Sequence, residues 1–244
     1  VGSMPAPLPR PQVVVTRQPT QTPVAIALAA ATETPTPTPA VTPTPTLSPT
    51  PIPQMISLTP PKWEKQAPNN CGPTSLAMYL RYYGWEGDQT TIAELVKPRE
   101  EDRNVNVEEL EYFVRNRVGW LNIEYRVDGN VEILKKLLAA GIPVMIEEGF
   151  ILDQSYWPND DRWAAHYQLL TGYDDATKIF TGQDSFIGPD QKIPYDKLDE
   201  LWLAFNRVYI LIYPPDKEET VKSIMGPHWD KDYNRTSALL MAEE

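Results

Sequence analysis

One cysteine and two histidines are all that 244 residues hold of the side chains that most often do nucleophilic or proton-transfer work near neutral pH. A single thiol excludes both an intrachain disulfide framework and a thiolate zinc cluster, and no motif calls for a cofactor or a metal. Long apolar runs are missing as well: the longest near the N-terminus, Val24–Ala31, falls far short of the roughly 18 residues a membrane helix needs. Direct insertion into a bilayer is therefore not expected. Basic charge is in deficit, 22 Lys and Arg against 33 Asp and Glu, for a net charge of −11. That balance disfavours nucleic acid or an anionic lipid surface as the main partner, with a plain solubility role as the alternative reading.

What the chain has in excess is proline, and it is unevenly placed. Of 26 prolines, 14 fall in residues 1–53, interleaved with 11 threonines and only three charges, Arg10, Arg17 and Glu33. Such a segment buries too little apolar surface to offset the entropy of ordering it. Repeated prolines fix φ and delete donors, which predicts an extended, fluctuating stalk or linker. Threonine-proline stalks commonly space a domain from a cell surface, so the protein is expected to be extracellular or anchored to the cell envelope. The opening Val1–Met4 reads as an expression scar, which leaves room for a signal peptide or anchor upstream. Residues 54–215 are then long enough for one domain with a substantial core. Beyond Pro214 and Pro215, residues 216–244 turn polar and helical, as in a C-terminal extension or the start of a further helical domain.

A lone cysteine is usually a small buried hydrophobe, but Cys71 has an unusual setting in NNCGPTSLAMYLRYYG, residues 69–84. Asn69 and Asn70 suit a cap, Pro73 a first turn and Gly84 a stop. Leu76, Tyr79, Leu80 and Tyr83 recur at helical spacing, which predicts a helix with one apolar stripe. The thiol then stands at the helix N-terminus, where free amides and the positive end of the dipole favour anionic sulfur. Five residues upstream, Gln66 offers a side-chain amide that can donate to a developing oxyanion.

With two histidines the search for a base is short. His166 lies in RWAAHYQLLTGYDDATKIFTGQDSF, residues 162–186, which reads as two strands joined at Asp174–Thr177. Alternation puts His166, Gln168 and Leu170 on one face. The hairpin's return carries Asp184 back to the level of His166, where an acid would orient the ring and stabilise an imidazolium. Asp174 and Asp175 are turn formers, and His228 in MGPHWDKD reads as a surface or packing residue.

These residues resemble a known family: the bacteriocin-processing, double-glycine-type peptidases and their stand-alone relatives, which are papain-like. The likeness runs from about Ile56 to about Tyr213. It rests on QAPNNCGPTSLAMYLRYYG, on HYQLLTGYDD and on the acid of GQDSF; the proline that follows this acid in the family is replaced by Ser185 and Phe186. The resemblance implies an α+β, papain-like fold, a helical half carrying the cysteine helix packed on an antiparallel sheet carrying His and Asp. It further implies Cys71 as nucleophile, His166 as base, Asp184 as orienter and Gln66 as oxyanion donor.

Around these residues, caps at Asp88, Asn106 and Asn130 predict helices over 89–96, 107–118 and 130–140. Strands are predicted over 121–127, 142–148 and 207–213. The connection Gly149–Trp163 is long, aromatic and acidic, and Tyr156, Trp157 and Trp163 are the candidate substrate-binding side chains, with covering of a sheet edge as the alternative. The expected activity is that of a monomeric cysteine peptidase acting on a peptide or protein. Acyl transfer or deamidation would use the same groups. The rival from another class is a catalytically silent, stalked module that binds peptide or cell-wall fragments.

Overall fold

The computed structural model describes residues 51–99 and 102–242; the expected stalk lies outside them up to residue 50. Seven strands form one antiparallel sheet: β1 (Met55–Ser57), β2 (Asn122–Arg126), β3 (Val144–Ile151), β4 (Trp163–Asp174), β5 (Ile179–Asp184), β6 (Gly188–Pro194) and β7 (Tyr209–Tyr213). Their spatial order is β2-β7-β3-β4-β5-β6, with β1 on the far end of β4. The strand expected over 142–148 runs on to Ile151, so the connection to β4 is shorter than Gly149–Trp163.

Alternation along β4 sorts two cores. Tyr167 and Leu169 pack with Met145 and Ile210 on one face, and Leu170 packs with Val144, Ile146 and Leu211 on the other. Helices α1 (Cys71–Tyr82), α2 (Gln89–Val96) and α3 (Val107–Phe113) cover the first face. The second is covered by α4 (Val131–Ala139), α5 (Tyr195–Trp202) and α6 (Glu218–Met225). Helix α7 (Lys231–Ala242) docks on the end of β2, where Asn234 accepts from the Val127 amide at 3.1 Å and donates to its carbonyl at 2.8 Å.

Local signals set most helix ends. Asp88 Oδ1 caps α2 by accepting from Thr90 and Thr91, each at 3.0 Å, and Asn130 caps α4 through Ile133 at 2.9 Å. The helix expected over 107–118 is regular only to Phe113; the last five residues widen into a π-turn that ends at left-handed Gly119 (φ 70°). Two readings of α1 need correction. Asn70 occupies the cap position but makes no side-chain cap bond: its Nδ2 donates to Gln89 Oε1 at 2.8 Å, and its Oδ1, the atom that would cap, has no partner among the described residues. Nor is there a single stripe: every residue from Gly72 to Leu80 is buried, because the sheet, α2 and α3 enclose the helix on several sides. The polar members pair accordingly, Ser75 Oγ donating to the Tyr167 carbonyl at 3.0 Å. Strand β6 and helix α5 were not predicted, since GPDQKIP neither alternates nor lacks proline, and β6 is an exposed edge.

Tyr79 ties the cysteine helix to the sheet. Its fully buried hydroxyl donates to the Pro143 carbonyl and accepts from the Ile212 amide at 2.9 Å. Tyr79→Phe leaves two buried backbone groups unpaired and is expected to cost about 1–3 kcal/mol, read as a lower urea midpoint with unchanged slope. An unchanged midpoint would show that the hydroxyl carries no load.

Candidate active site

The segment before α1 is held from two sides. On one side Gln89, at the start of α2, donates to Glu64 Oε1 at 2.9 Å and the Lys65 carbonyl at 2.8 Å. Its own oxygen accepts from the Ala67 amide (2.7 Å), Asn70 Nδ2 (2.8 Å) and Thr74 Oγ1 (3.0 Å). On the other side the end of β5 takes over. Trp63 Nε1 donates to the Asp184 carbonyl at 2.8 Å, the Gln66 amide to the Ser185 carbonyl at 2.9 Å, and Lys65 Nζ to the Phe186 carbonyl at 2.7 Å. Ser185 Oγ also donates to Gln66 Oε1 at 2.8 Å. Because the oxygen end of Gln66 is occupied, its Nε2 is the free end, donating to no protein group among the described residues.

Cys71 opens α1 half-buried, with no side-chain cap competing for the first-turn amides. His166, buried four residues into β4, lies within interaction range of both Asp184 and Cys71. Its Nε2 lies 3.2 Å from Asp184 Oδ1, off the line of an aligned hydrogen bond. That oxygen already accepts from the Phe186 and Ile187 amides, each at 2.7 Å, so charge more than direction holds the pair. With Nε2 turned to the acid, Nδ1 is left for the sulfur.

Burial alone would depress the imidazole's pKa, but the contacts and charges of Asp184 and Cys71 push it up to about 10. For Asp184, burial raises and His166 with the two turn amides lowers, and the carboxyl ends below the usual range. Linkage gives each its window. The raised imidazole contributes stability that is full below the unfolded value of about 6.5 and is lost as pH rises through about 10. The depressed carboxyl contributes above its unfolded value of about 3.9 and loses that contribution on acidification.

The structure thus brings Cys71, His166 and Asp184 together, with Gln66 clasped to the residue after the acid. The aromatic candidates lie apart from that cluster in their described contacts. Tyr156 and Trp157 meet edge to face at 4.9 Å, Arg103 sits 4.6 Å over the Trp157 ring, and Trp163 packs on Phe205 at 5.7 Å while remaining 44% exposed. His228 is a packing residue, its Nδ1 3.1 Å from Asn234 Nδ2 and its ring against Tyr233. An open cavity of about 360 Å³ near α7 is lined by Glu124, Arg126 and Trp229 to Asp232. Its lining includes none of Cys71, His166, Asp184 and Gln66, and Glu124 there pairs with both Arg126 and Lys231. Among the described residues no cluster of His, Cys, Asp or Glu is arranged to hold a metal ion, and no helix is long and apolar enough to cross a membrane.

Sequence reasoning missed three residues here. Gln89 looked like an ordinary first-turn residue. Ser185 was visible only as a departure from the family's proline. Glu148 is the last residue of the strand predicted over 142–148 and carries no local signal there, yet it is 6% exposed and stands opposite His166 in the β3–β4 ladder.

A thiol at a free helix start, facing a strand-borne imidazole backed by an acid within this mixed fold, defines a papain-like cysteine peptidase fold. Residues 55–210 match the Peptidase_C39 like family, and the chain belongs to that family. Among solved structures it is similar to a protein described as a C39-like peptidase from Bacillus anthracis, at 20% identity over 65% of this chain and 96% of that one, TM-score 0.49. It is also similar to a double glycine motif protease from an AMS/PCAT transporter in complex with the leader peptide (21% identity, 65% and 94% covered, TM-score 0.46). A third is xylellain, a cysteine protease from Xylella fastidiosa (15% identity, 67% and 87% covered, TM-score 0.49). No curated protein matches the chain.

Two histidines make the imidazole easy to follow by ¹⁵N NMR. Cys71→Ala and Asp184→Asn are each expected to move the His166 titration down from about 10. A titration indifferent to both substitutions would mean that neither group holds the proton on the ring.

Proposed function

We propose that the protein is a cysteine peptidase that cleaves a peptide or amide bond through a thioester on Cys71. The observation that carries this reading is the contact of the helix-start thiol with an imidazole whose other nitrogen faces Asp184. An imidazole held at about 10 is imidazolium at neutral pH, the partner an attacking thiolate needs. The sulfur adds to the substrate carbonyl carbon as the carbonyl π electrons move onto oxygen. Gln66 Nε2 and the Cys71 amide receive that oxyanion. When the tetrahedral adduct collapses, the C–N bond breaks, the amine leaves with the proton of His166, and the acyl group stays on sulfur. The neutral imidazole then takes a proton from water, whose oxygen attacks the thioester. Release of the carboxylic acid restores thiolate and imidazolium.

Acyl transfer or deamidation would run through the same thioester with a different acceptor or leaving group. In this proposal Tyr156, Trp157 and Trp163 contact the peptide. The domain works outside the cell or at the envelope, on the strength of its Thr/Pro-rich N-terminal composition.

A fluorogenic peptide library supplies the test. Cys71→Ala is expected to abolish turnover, and Gln66→Ala to lower kcat by about 10²–10³-fold while iodoacetamide still labels Cys71 at the wild-type rate. Trp157→Ala and Trp163→Ala are expected to raise KM with kcat kept. Labelling of Cys71 at the rate of a free thiol, unchanged by His166→Ala, together with peptide binding but no cleavage, would make the protein a silent binding module instead.

A further inference from the structure

Strands β3 and β4 run antiparallel with Glu148 directly opposite His166. Residues so opposed point to the same face with Cβ atoms about 4.5–5.5 Å apart, so the acid stands beside the imidazole on the side away from β5. It is 6% exposed, and its Oε2 has no hydrogen-bond partner among the described residues. Gln168 Oε1, two residues along β4 on the same face, is unpaired as well. A buried carboxylate oxygen left without a hydrogen bond is costly unless a charge of opposite sign lies close; here that charge is the imidazolium. The mechanism above makes no use of this side chain.

We propose that Glu148 is a second acid of this site, a positioning residue that shares the imidazolium of His166 with Asp184 and whose charge sets how firmly the ring keeps its proton. The inference rests on the reading of Cys71 and His166 as a reacting pair. The charged groups that bear on Glu148 are His166 from β4, Asp184 from the end of β5 and Lys197 from α5. Burial raises its carboxyl, Asp184 raises it further, and His166 and Lys197 oppose, leaving it at about 7. The sign follows. Below that pH Glu148 is neutral and Asp184 is the one carboxylate that, with the Cys71 sulfur, holds the imidazolium; above it two carboxylates do, and the ring's proton is held more tightly. The leaving amine draws its proton from that ring, so the state of Glu148 tunes proton transfer without touching substrate.

The test is ring ¹⁵N NMR of the full chain across pH, with His228→Gln to assign the two histidines. In the wild type His166 is expected to show a small inflection near 7 before its main deprotonation near 10. In Glu148→Gln the inflection disappears and the proton affinity of His166 falls about tenfold, and the alkaline limb of Cys71 alkylation by iodoacetamide falls with it. Glu148→Asp, which keeps the charge, retains an inflection. An unchanged His166 titration in Glu148→Gln, or no inflection near 7 in the wild type, overturns the proposal, and the second outcome needs no folded variant. A wild-type His166 that titrates like a free imidazole fails differently: it removes the thiolate–imidazolium pair itself.

Discussion

Four hydrogen bonds between residues 63–66 and 184–186 hold this protein's chemistry in one place. The Trp63 indole, the Gln66 amide, the Lys65 ammonium and the Ser185 hydroxyl are their donors, at 2.7–2.9 Å. They join the approach to the cysteine helix to the end of the strand that bears the acid, across about 120 residues of chain. The entropy of closing so long a loop grows only logarithmically with its length, so a few well-made bonds and the packing behind them suffice. The Ser75 and Tyr79 bonds already dock the cysteine helix on the sheet; the seam adds the approach segment, and so fixes Gln66 against the acid-bearing end of β5.

The seam is useful only if both sides are stiff. On the cysteine side, Gln89 satisfies donors and acceptors on five different groups at once, and α1 is enclosed from Gly72 to Leu80. On the sheet side, β4 is paired with β3 over its first eight residues and with β5 from Gln168 onward. Buried polar networks of this kind rigidify when fully satisfied. Among the described residues, six buried side-chain atoms lack a partner: those of Asn69, Asn70 and Tyr83 lie in or beside the cysteine helix, and those of Glu148, His166 and Gln168 lie on one face of β3 and β4 beside Asp184.

Electrostatics follows from that geometry. A histidine inside a core is ordinarily pushed toward its neutral form by desolvation. Here the neighbouring acid and thiol outweigh burial, and the ring stays charged. The same low-dielectric surroundings that make an unpaired Glu148 expensive make its influence on the ring large.

The sequence by itself determined whatever is local. One cysteine and two histidines bounded the chemistry, Pro73 and the apolar spacing announced α1, Asp88 and Asn130 announced their caps, and alternation placed His166, Gln168 and Leu170 on one side of β4. These survive because caps and periodicities act within a few residues and need no distant partner. The tertiary structure alone decided which distant groups meet. It tied the Asn70 side chain to Gln89 through Nδ2, turned Ser185 from a departure in a motif into the clasp on Gln66, and set Glu148 against His166. Strand register and contacts between residues a hundred positions apart leave no periodic trace, since either partner alone reads as an ordinary polar residue.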